Sequence, residues 1–311
     1  MERRLFVGTA FAGLSITGLG ARPPRPREGD IPMRTFGKTG EKLTVIGQGG
    51  ARMQLLRTRE EGRKHLHSVY AAGVNYFDCA ASYWEGHAEE VYGDVVPQYR
   101  KSIFLTTKSG KRTRKEAEDE LHASLRRLRT DYVDLWQMHG VETPAEVERI
   151  FSPGGALEAF EAAKKAGKCR YIGFTGHADP EVHLMMLKRY DRFDSILMPL
   201  HAADPTYLSF EKTTLPAAVK AGIGIQGMKI FGNAFLLRAL NARECLSYVL
   251  SLPVHCATLG FSTKGQLEDD VRTAQSFKPL SEAEMDELRK VAQTARGAVT
   301  GPGMEYWKKK I

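Results

Sequence analysis

The sequence predicts an α/β fold: one (β/α)8 TIM barrel, with an N-terminal β-hairpin and a C-terminal extra helix. Three observations predict it. Strand-like runs alternate with helical ones eight times, glycine closes several helices just before the next strand, and reactive polar residues stand at strand ends. A chain of 311 residues with 42% hydrophobic and 26% charged content holds one such barrel of about 250 residues plus extensions. The domain division is a leader and linker over 1–30 and the barrel over 31–311.

The elements follow in order. Residues 34–37 and 41–46, around the turn at Thr39 and Gly40, read as a hairpin placed to plug the barrel bottom. Strands are expected at 44–47, 75–78, 103–108, 133–138, 171–175, 195–199, 224–228 and 257–259. Helices are expected between them at 59–72, 87–95, 113–128, 155–166, 180–190, 214–221, 242–250 and 264–275. Gly73, Gly167 and Gly222 each follow an alanine at a helix end, where a left-handed residue closes the turn into the next strand. Ser281 and Glu284 form a capping box that opens the extra helix, which runs to about 295. The longer connections at 140–154 and 230–238 follow strands four and seven, on the face where barrels carry their active residues.

Charge and cysteine usage exclude several classes. The net charge of +8 is scattered among acidic residues and no nucleic-acid-reading motif accompanies it, so it reads as solvated surface that also attracts an anionic cofactor. Lys308 to Lys310 read as a loose tail. Cys79, Cys169, Cys245 and Cys256 are far apart and beside apolar runs, which predicts buried thiols rather than a zinc knuckle or a disulfide framework. Arg3 and Arg4 precede a modestly apolar, glycine-broken stretch to Gly20 and a Pro/Arg linker. That order resembles a twin-arginine export signal, with Glu2 where Ser or Thr is usual, and it is too short for a comfortable membrane span. A periplasmic or exported protein is the expectation; a cytoplasmic one with an unstructured leader is the alternative.

Four strand-end residues define the chemistry. Asp78 ends strand two, Tyr83 follows in the loop, Lys108 ends strand three and His139 ends strand four. Reduction of a carbonyl by hydride needs a proton for the developing alkoxide. A phenol supplies it when a neighbouring ammonium draws its pKa down from about 10. Tyr83 suits that role, Lys108 the ammonium, Asp78 the carboxylate that holds it, and His139 a hydrogen bond that orients the substrate oxygen.

The segments at 73–80 (GVNYFDCA), 83–93 with Glu89 and Glu90, Lys108, 134–139 and 167–173 resemble the aldo-keto reductases, over roughly residues 34–288. The resemblance implies a catalytic tetrad of Asp78, Tyr83, Lys108 and His139, with Tyr83 as general acid. It also implies reduction of small aldehydes or ketones with NADPH, NAD being possible, and a small-molecule carbonyl as the partner. It places Thr175 and Gly176 where Ser and Asn commonly hold the nicotinamide carboxamide, and Leu197 where a Gln often helps. Met228 stands where an aromatic ring often stacks on the nicotinamide, and Lys229 would reach the pyrophosphate. The run from Gly260 to Asp270 matches the adenosine-phosphate segment and brings in Ser262, Lys264, Gln266, Asp269 and Asp270. Ser262 replaces a frequent Arg there, Asp270 a usual Asn, and Lys264 offers the missing positive charge. Trp84, His177 and His201 are expected to line the substrate mouth. Two other readings stay open: an NAD(P)-binding regulator with little turnover, and a metal-dependent hydrolase using Asp78, His139, His177 and His201.

Overall fold

The computed structural model describes residues 30–297 and 303–310, so the leader expected over 1–30 lies outside them except for its last residue. Two short antiparallel strands, β1 (Met33–Thr35) and β2 (Lys42–Thr44), pair first, Met33 opposite Thr44. Eight parallel strands then close a barrel: β3 (Ile46–Gly49), β4 (Tyr76–Asp78), β5 (Phe104–Ser109), β6 (Val133–Met138), β7 (Cys169–Thr175), β8 (Ser195–Pro199), β9 (Gly224–Met228) and β10 (Cys256–Leu259). The first barrel strand begins at Ile46 rather than at residue 44, because Thr44 is committed to the hairpin.

The hairpin does plug the barrel. Phe36, fully buried, lies against the Gly224 backbone and meets Phe104 edge-on at 5.7 Å; Leu43, Tyr76, Leu135 and Cys256 complete this lower cluster. A side chain at 224 would collide with the Phe36 ring, so glycine there admits the plug. All four cysteines are buried and free, as their apolar surroundings predict.

Around the barrel run α1 (Arg59–Ala71), α2 (His87–Gly93), α3 (Val96–Tyr99), α4 (Arg114–Leu128), α5 (Pro144–Phe151), α6 (Ala156–Lys165), α7 (Pro180–Arg189), α8 (Thr214–Lys220), α9 (Ala242–Ser251) and α10 (Lys264–Gln275). Most begin at a side-chain cap: Thr58, Thr113, Thr143, Asp179, Asn241 and Thr263 each accept from a backbone N–H of the first turn. Gly73, Gly167 and Gly222 take positive φ of 91°, 73° and 64°, the left-handed turn their spacing predicts. The expected capping box opens α11 (Glu282–Arg296). The connection at 140–154 is not an open loop; it contains α5, whose own capping box pairs Thr143 with Glu146.

Beneath the active face His183 is fully buried. It lies edge-on to Phe174 (5.2 Å) and Phe210 (5.0 Å), and neither ring nitrogen has a partner. Burial pulls its pKa down from 6.5 to about 3, with His177 acting the same way. The unfolded chain therefore takes up a proton between pH 6.5 and 3 that the folded chain refuses, so stability present above 6.5 is lost as pH falls through that window. Relative to His183→Gln, the parent is expected to lose about 3–5 kcal/mol more of unfolding free energy between pH 7 and pH 3. Urea denaturation of both proteins across that range measures it, and parallel curves would count against a neutral buried His183.

Candidate active site

The C-terminal ends of β4, β5 and β6 bring the quartet together. Lys108 is fully buried and uses its ammonium on three acceptors: Asp78 Oδ2 at 2.7 Å, the Cys79 carbonyl at 2.7 Å and the Tyr83 hydroxyl oxygen at 3.3 Å. Since Tyr83 accepts from Lys108, its own O–H is left to donate elsewhere. His139 stands edge-on to the Tyr83 ring at 5.5 Å, with Nδ1 3.3 Å from the Ser82 hydroxyl. Trp84 and Glu85, directly after Tyr83, hold left-handed φ of 49° and 55°, strain that this loop sustains beside the Tyr83 phenol. Behind it, buried Glu89 accepts from Arg127 (2.7 Å) and Thr107 (2.5 Å), tying α2 to the strand that carries Lys108.

The electrostatics correct one expectation. Burial pushes the Tyr83 phenol above 10, and although Lys108 pulls it down, burial prevails, so the phenol keeps its proton rather than approaching neutrality. Burial likewise raises the Asp78 carboxyl against the pull of Lys108. Burial works against the Lys108 ammonium as well, but Asp78 and then Tyr83 outweigh it and hold it charged. His139 is held well below 6.5 by burial, with Lys108, His177 and Arg112 adding to the effect, so its imidazole is neutral.

The cofactor candidates line the strand ends on the opposite side. Thr175 Oγ1, at the end of β7, is buried without a partner, a hydroxyl available to an amide. Gly176 shows why no Asn stands there: a Cβ would run into the Val141 carbonyl and come within 2.7 Å of His183 Nε2. Leu197 is buried and offers no amide in its place. Met228 and Lys229 are half-buried at the end of β9, Lys229 with φ 60°. Ser262 and Gln266 bond each other, the Gln266 side-chain oxygen accepting from the Ser262 N–H and hydroxyl at 3.0 Å. Lys264 pairs with Glu268 at 3.5 Å and Asp269 with Arg272, both at the surface, whereas Asp270 is buried and its carboxyl is pushed up to about 7 by burial and by Asp269.

Sequence reasoning missed Arg52. It follows β3 in a turn of 3-10 helix and leans over the backbone of Gly260, where a Cβ would stand 2.8 Å from Arg52 Cγ. Because β10 lies between β9 and β3, Arg52 and Lys229 flank the segment from Gly260 onward, and among the described residues no carboxylate is ion-paired with either. The residues present fit a nicotinamide dinucleotide: the Thr175 hydroxyl would stand in for amides at one end, and Arg52 and Lys229, neither ion-paired with a carboxylate among the described residues, would face the phosphates, Lys229 bonding Asn233 Oδ1 at 3.3 Å.

The three remaining candidates separate. Trp84 is half-buried and edge-on to His87. His177 lies near His139 and faces Glu142 at 3.6 Å; burial holds its pKa low. His201 does not line the mouth: it is fully buried, 3.3 Å from Glu305, under a covering segment that begins after 302. The same contacts overturn the loose tail, since Lys308 is buried and bonded to Asp204 at 2.7 Å. Nor does the hydrolase ligand set come together. Asp78 is taken by Lys108, and His201 groups instead with Asp204 and Glu305, around the Lys308 ammonium.

The architecture is a closed eight-stranded parallel barrel with a Tyr, a Lys, an Asp and a His converging at one end. The profile of the Aldo/keto reductase family matches residues 45–244, and the chain belongs to that family. It is 30% identical over 154 residues to the uncharacterized oxidoreductase YqkF of Bacillus subtilis, covering 46% of this chain and 48% of that protein. The chain spans about half the length of the curated relatives it matches. Among solved structures it resembles the holo form of an aldo-keto reductase from Bacillus halodurans (TM-score 0.72, 24% identity, 84% of this chain and 96% of that one). It also resembles an aldo-keto reductase from Klebsiella pneumoniae in complex with NADPH (TM-score 0.67, 20% identity, 84% and 94%). These two likenesses concern the fold.

Proposed function

We propose that this protein reduces small aldehydes or ketones to alcohols with a nicotinamide dinucleotide, NADPH before NADH. The observation that carries the reading is the Lys108 ammonium bonded at once to Asp78 and to the hydroxyl oxygen of Tyr83. The dinucleotide, when bound, supplies a hydride to the carbonyl carbon. Tyr83, protonated at neutral pH, donates its proton to the carbonyl oxygen as negative charge develops there. Lys108 stabilises the phenolate left behind, and Asp78 holds Lys108 in place. Neutral His139 hydrogen-bonds the substrate oxygen and sets its approach to Tyr83. Thr175 would meet the carboxamide, Met228 the nicotinamide ring, and Arg52 with Lys229 the phosphates.

NADPH leads because Lys264 stands in the adenosine-phosphate segment, paired only at the surface with Glu268 at 3.5 Å, although Ser262 replaces the usual Arg; Arg52 and Lys229 would serve the pyrophosphate common to both nucleotides. Titration of the full chain by protein fluorescence should show binding of NADPH, with NADH weaker. Arg52→Ala should weaken both by about tenfold, the scale of one charge-assisted hydrogen bond. Absence of binding by either nucleotide would contradict the reading. The missing amides at Gly176 and Leu197 favour one second reading, a dinucleotide-binding regulator; tight NADPH binding with no oxidation across an aldehyde panel would select it. We propose that the protein is periplasmic or exported through its twin-arginine-like leader; fractionation of cells and medium, with Arg3→Lys/Arg4→Lys as control, is the test, and a parent found in the cytoplasm would contradict it.

A further inference from the structure

Inside the barrel, below the quartet, a row of polar side chains is buried where apolar layers ordinarily fill the interior: Tyr76 on β4, Thr106 on β5, Gln137 on β6 and Gln226 on β9. They are joined in one direction. The Thr106 hydroxyl donates to Gln137 Oε1 (3.5 Å), Gln137 Nε2 to Gln226 Oε1 (3.5 Å), Gln226 Nε2 to the Tyr76 hydroxyl oxygen (2.8 Å), and the Tyr76 O–H to Asp78 Oδ1 (3.5 Å). Because Tyr76 accepts from Gln226, its own hydrogen is left to point at the carboxylate. Buried amides and phenols are costly without partners, and this run meets the requirement by ending on the carboxylate of the active site.

The barrel makes room for this phenol. A side chain at Gly47 on β3 would stand 2.3 Å from Tyr76 Cδ1, and the Tyr76 ring stacks on Phe104 at 5.9 Å, so the ring is anchored in the lower cluster while its hydroxyl reaches the quartet. Asp78 divides its oxygens: Oδ2 takes Lys108 at 2.7 Å and Oδ1 takes Tyr76. Among the described residues no other donor bonds either oxygen. The remaining ionisable groups that face Asp78 are the Tyr83 phenol after β4, the neighbouring Cys79, Cys256 on β10, and Tyr92 on α2, whose hydroxyl donates to the Asp78 carbonyl (3.0 Å). Burial holds each of these protonated and neutral, which leaves Lys108 as the charge opposite Asp78 and Tyr76 as the neutral donor to it.

We propose that Tyr76 is a positioning residue for the reaction, gripping the second carboxylate oxygen of Asp78 from inside the barrel so that Asp78 can hold Lys108. The kinetic consequence rests on the carbonyl-reduction reading; the effect of the hydrogen bond on Asp78 does not. Burial pushes the Asp78 carboxyl toward its neutral form, and Lys108 and Tyr76 oppose that push. Once Asp78 takes up a proton, Lys108 is buried without a counterion and no longer steadies the phenolate left on Tyr83. Without the Tyr76 hydroxyl that failure comes at a higher pH. Gln226 acts one step further away, by fixing the direction in which Tyr76 donates.

The test is Tyr76→Phe in the full chain, which removes one oxygen and leaves the ring in its seat. The pH at which kcat for NADPH-dependent reduction of benzaldehyde falls to half on the acid side should rise by about one unit, the scale of losing one hydrogen bond to a charged group. The KM for benzaldehyde should stay within about twofold, since Tyr76 is fully buried below the quartet. Gln226→Leu should move the acid limb the same way by less. Independently of turnover, carbon-13 NMR of protein labelled at its aspartate side-chain carboxyls, with the Asp78 signal assigned by its loss in Asp78→Asn, should show the Asp78 midpoint raised by about one unit in Tyr76→Phe. Should Tyr76→Phe lose the barrel by circular dichroism, Tyr76→Phe/Gln226→Leu, which removes the amide donor left without its acceptor, carries the same measurements. An unmoved carboxyl midpoint would overturn the grip on Asp78. A moved midpoint with an unmoved acid limb, or a raised KM in its place, would overturn the positioning role. A parent that reduces no carbonyl would refute the proposed function instead, with the carboxyl midpoint still deciding the grip.

Discussion

Tyr83→Phe is expected to lower carbonyl turnover by about 10²–10⁴-fold, the usual contribution of a positioned general acid, while leaving NADPH affinity within about twofold. The substitution removes one oxygen. The ring keeps its place edge-on to His139 and the barrel is unchanged, but the proton for the alkoxide is gone and Lys108 loses its third acceptor. Steady-state kinetics beside a fluorescence titration checks both halves. A variant as fast as the parent would remove Tyr83 from the chemistry, and a variant that no longer binds the nucleotide would show that its effect is not confined to the proton.

Asp78→Asn carries the second large expected effect, on stability as well as rate. It leaves the Lys108 ammonium buried with only neutral partners, and breaking a buried pair in this direction typically costs about 3–5 kcal/mol. Lys108→Met is expected to cost less. The carboxyl it strands is one that burial already pushes toward its neutral form, so Asp78 can take up a proton instead of remaining an unpaired anion. Urea denaturation of both single variants and the double variant forms a cycle, in which the double variant should be more stable than Asp78→Asn alone. Both single variants should lose most turnover, since either releases Lys108's hold on the phenol oxygen.

These expectations start from positions legible in the amino-acid sequence. Asp78, Lys108 and His139 were legible because a parallel barrel puts successive strand ends on one face, and each of the three ends or follows a short strand whose register the barrel fixes. Tyr83 was legible from its distance after Asp78. The raised phenol was not, because the sign of its shift depends on how completely the site is buried, and Lys108 alone argues the other way. Gly176 looked like a missing contact; packing shows that the Val141 carbonyl and His183 leave no room for a side chain there.

The tail was misread for a plainer reason. Lys308 meets Asp204 across 104 positions of sequence, and three consecutive lysines look the same whether they float or one of them fills an acidic nest. His201 went wrong with it: its place after β8 puts it on the active face, but the returning segment covers it. Arg52 escaped notice because its significance lies in leaning on Gly260 from across the seam where β10 meets β3.

The central claim, that this quartet serves hydride reduction of a carbonyl, is tested most directly by isotope transfer. NADPH deuterated at C4, prepared separately on each face, is incubated with the full chain and an aldehyde, and the alcohol is examined by mass spectrometry. The predicted result is one deuterium on the carbinol carbon from one of the two labelled faces, in step with NADPH oxidised and lost in Tyr83→Phe. Alcohol formed without deuterium from either face, or bound NADPH that is never oxidised by any aldehyde offered, would contradict it.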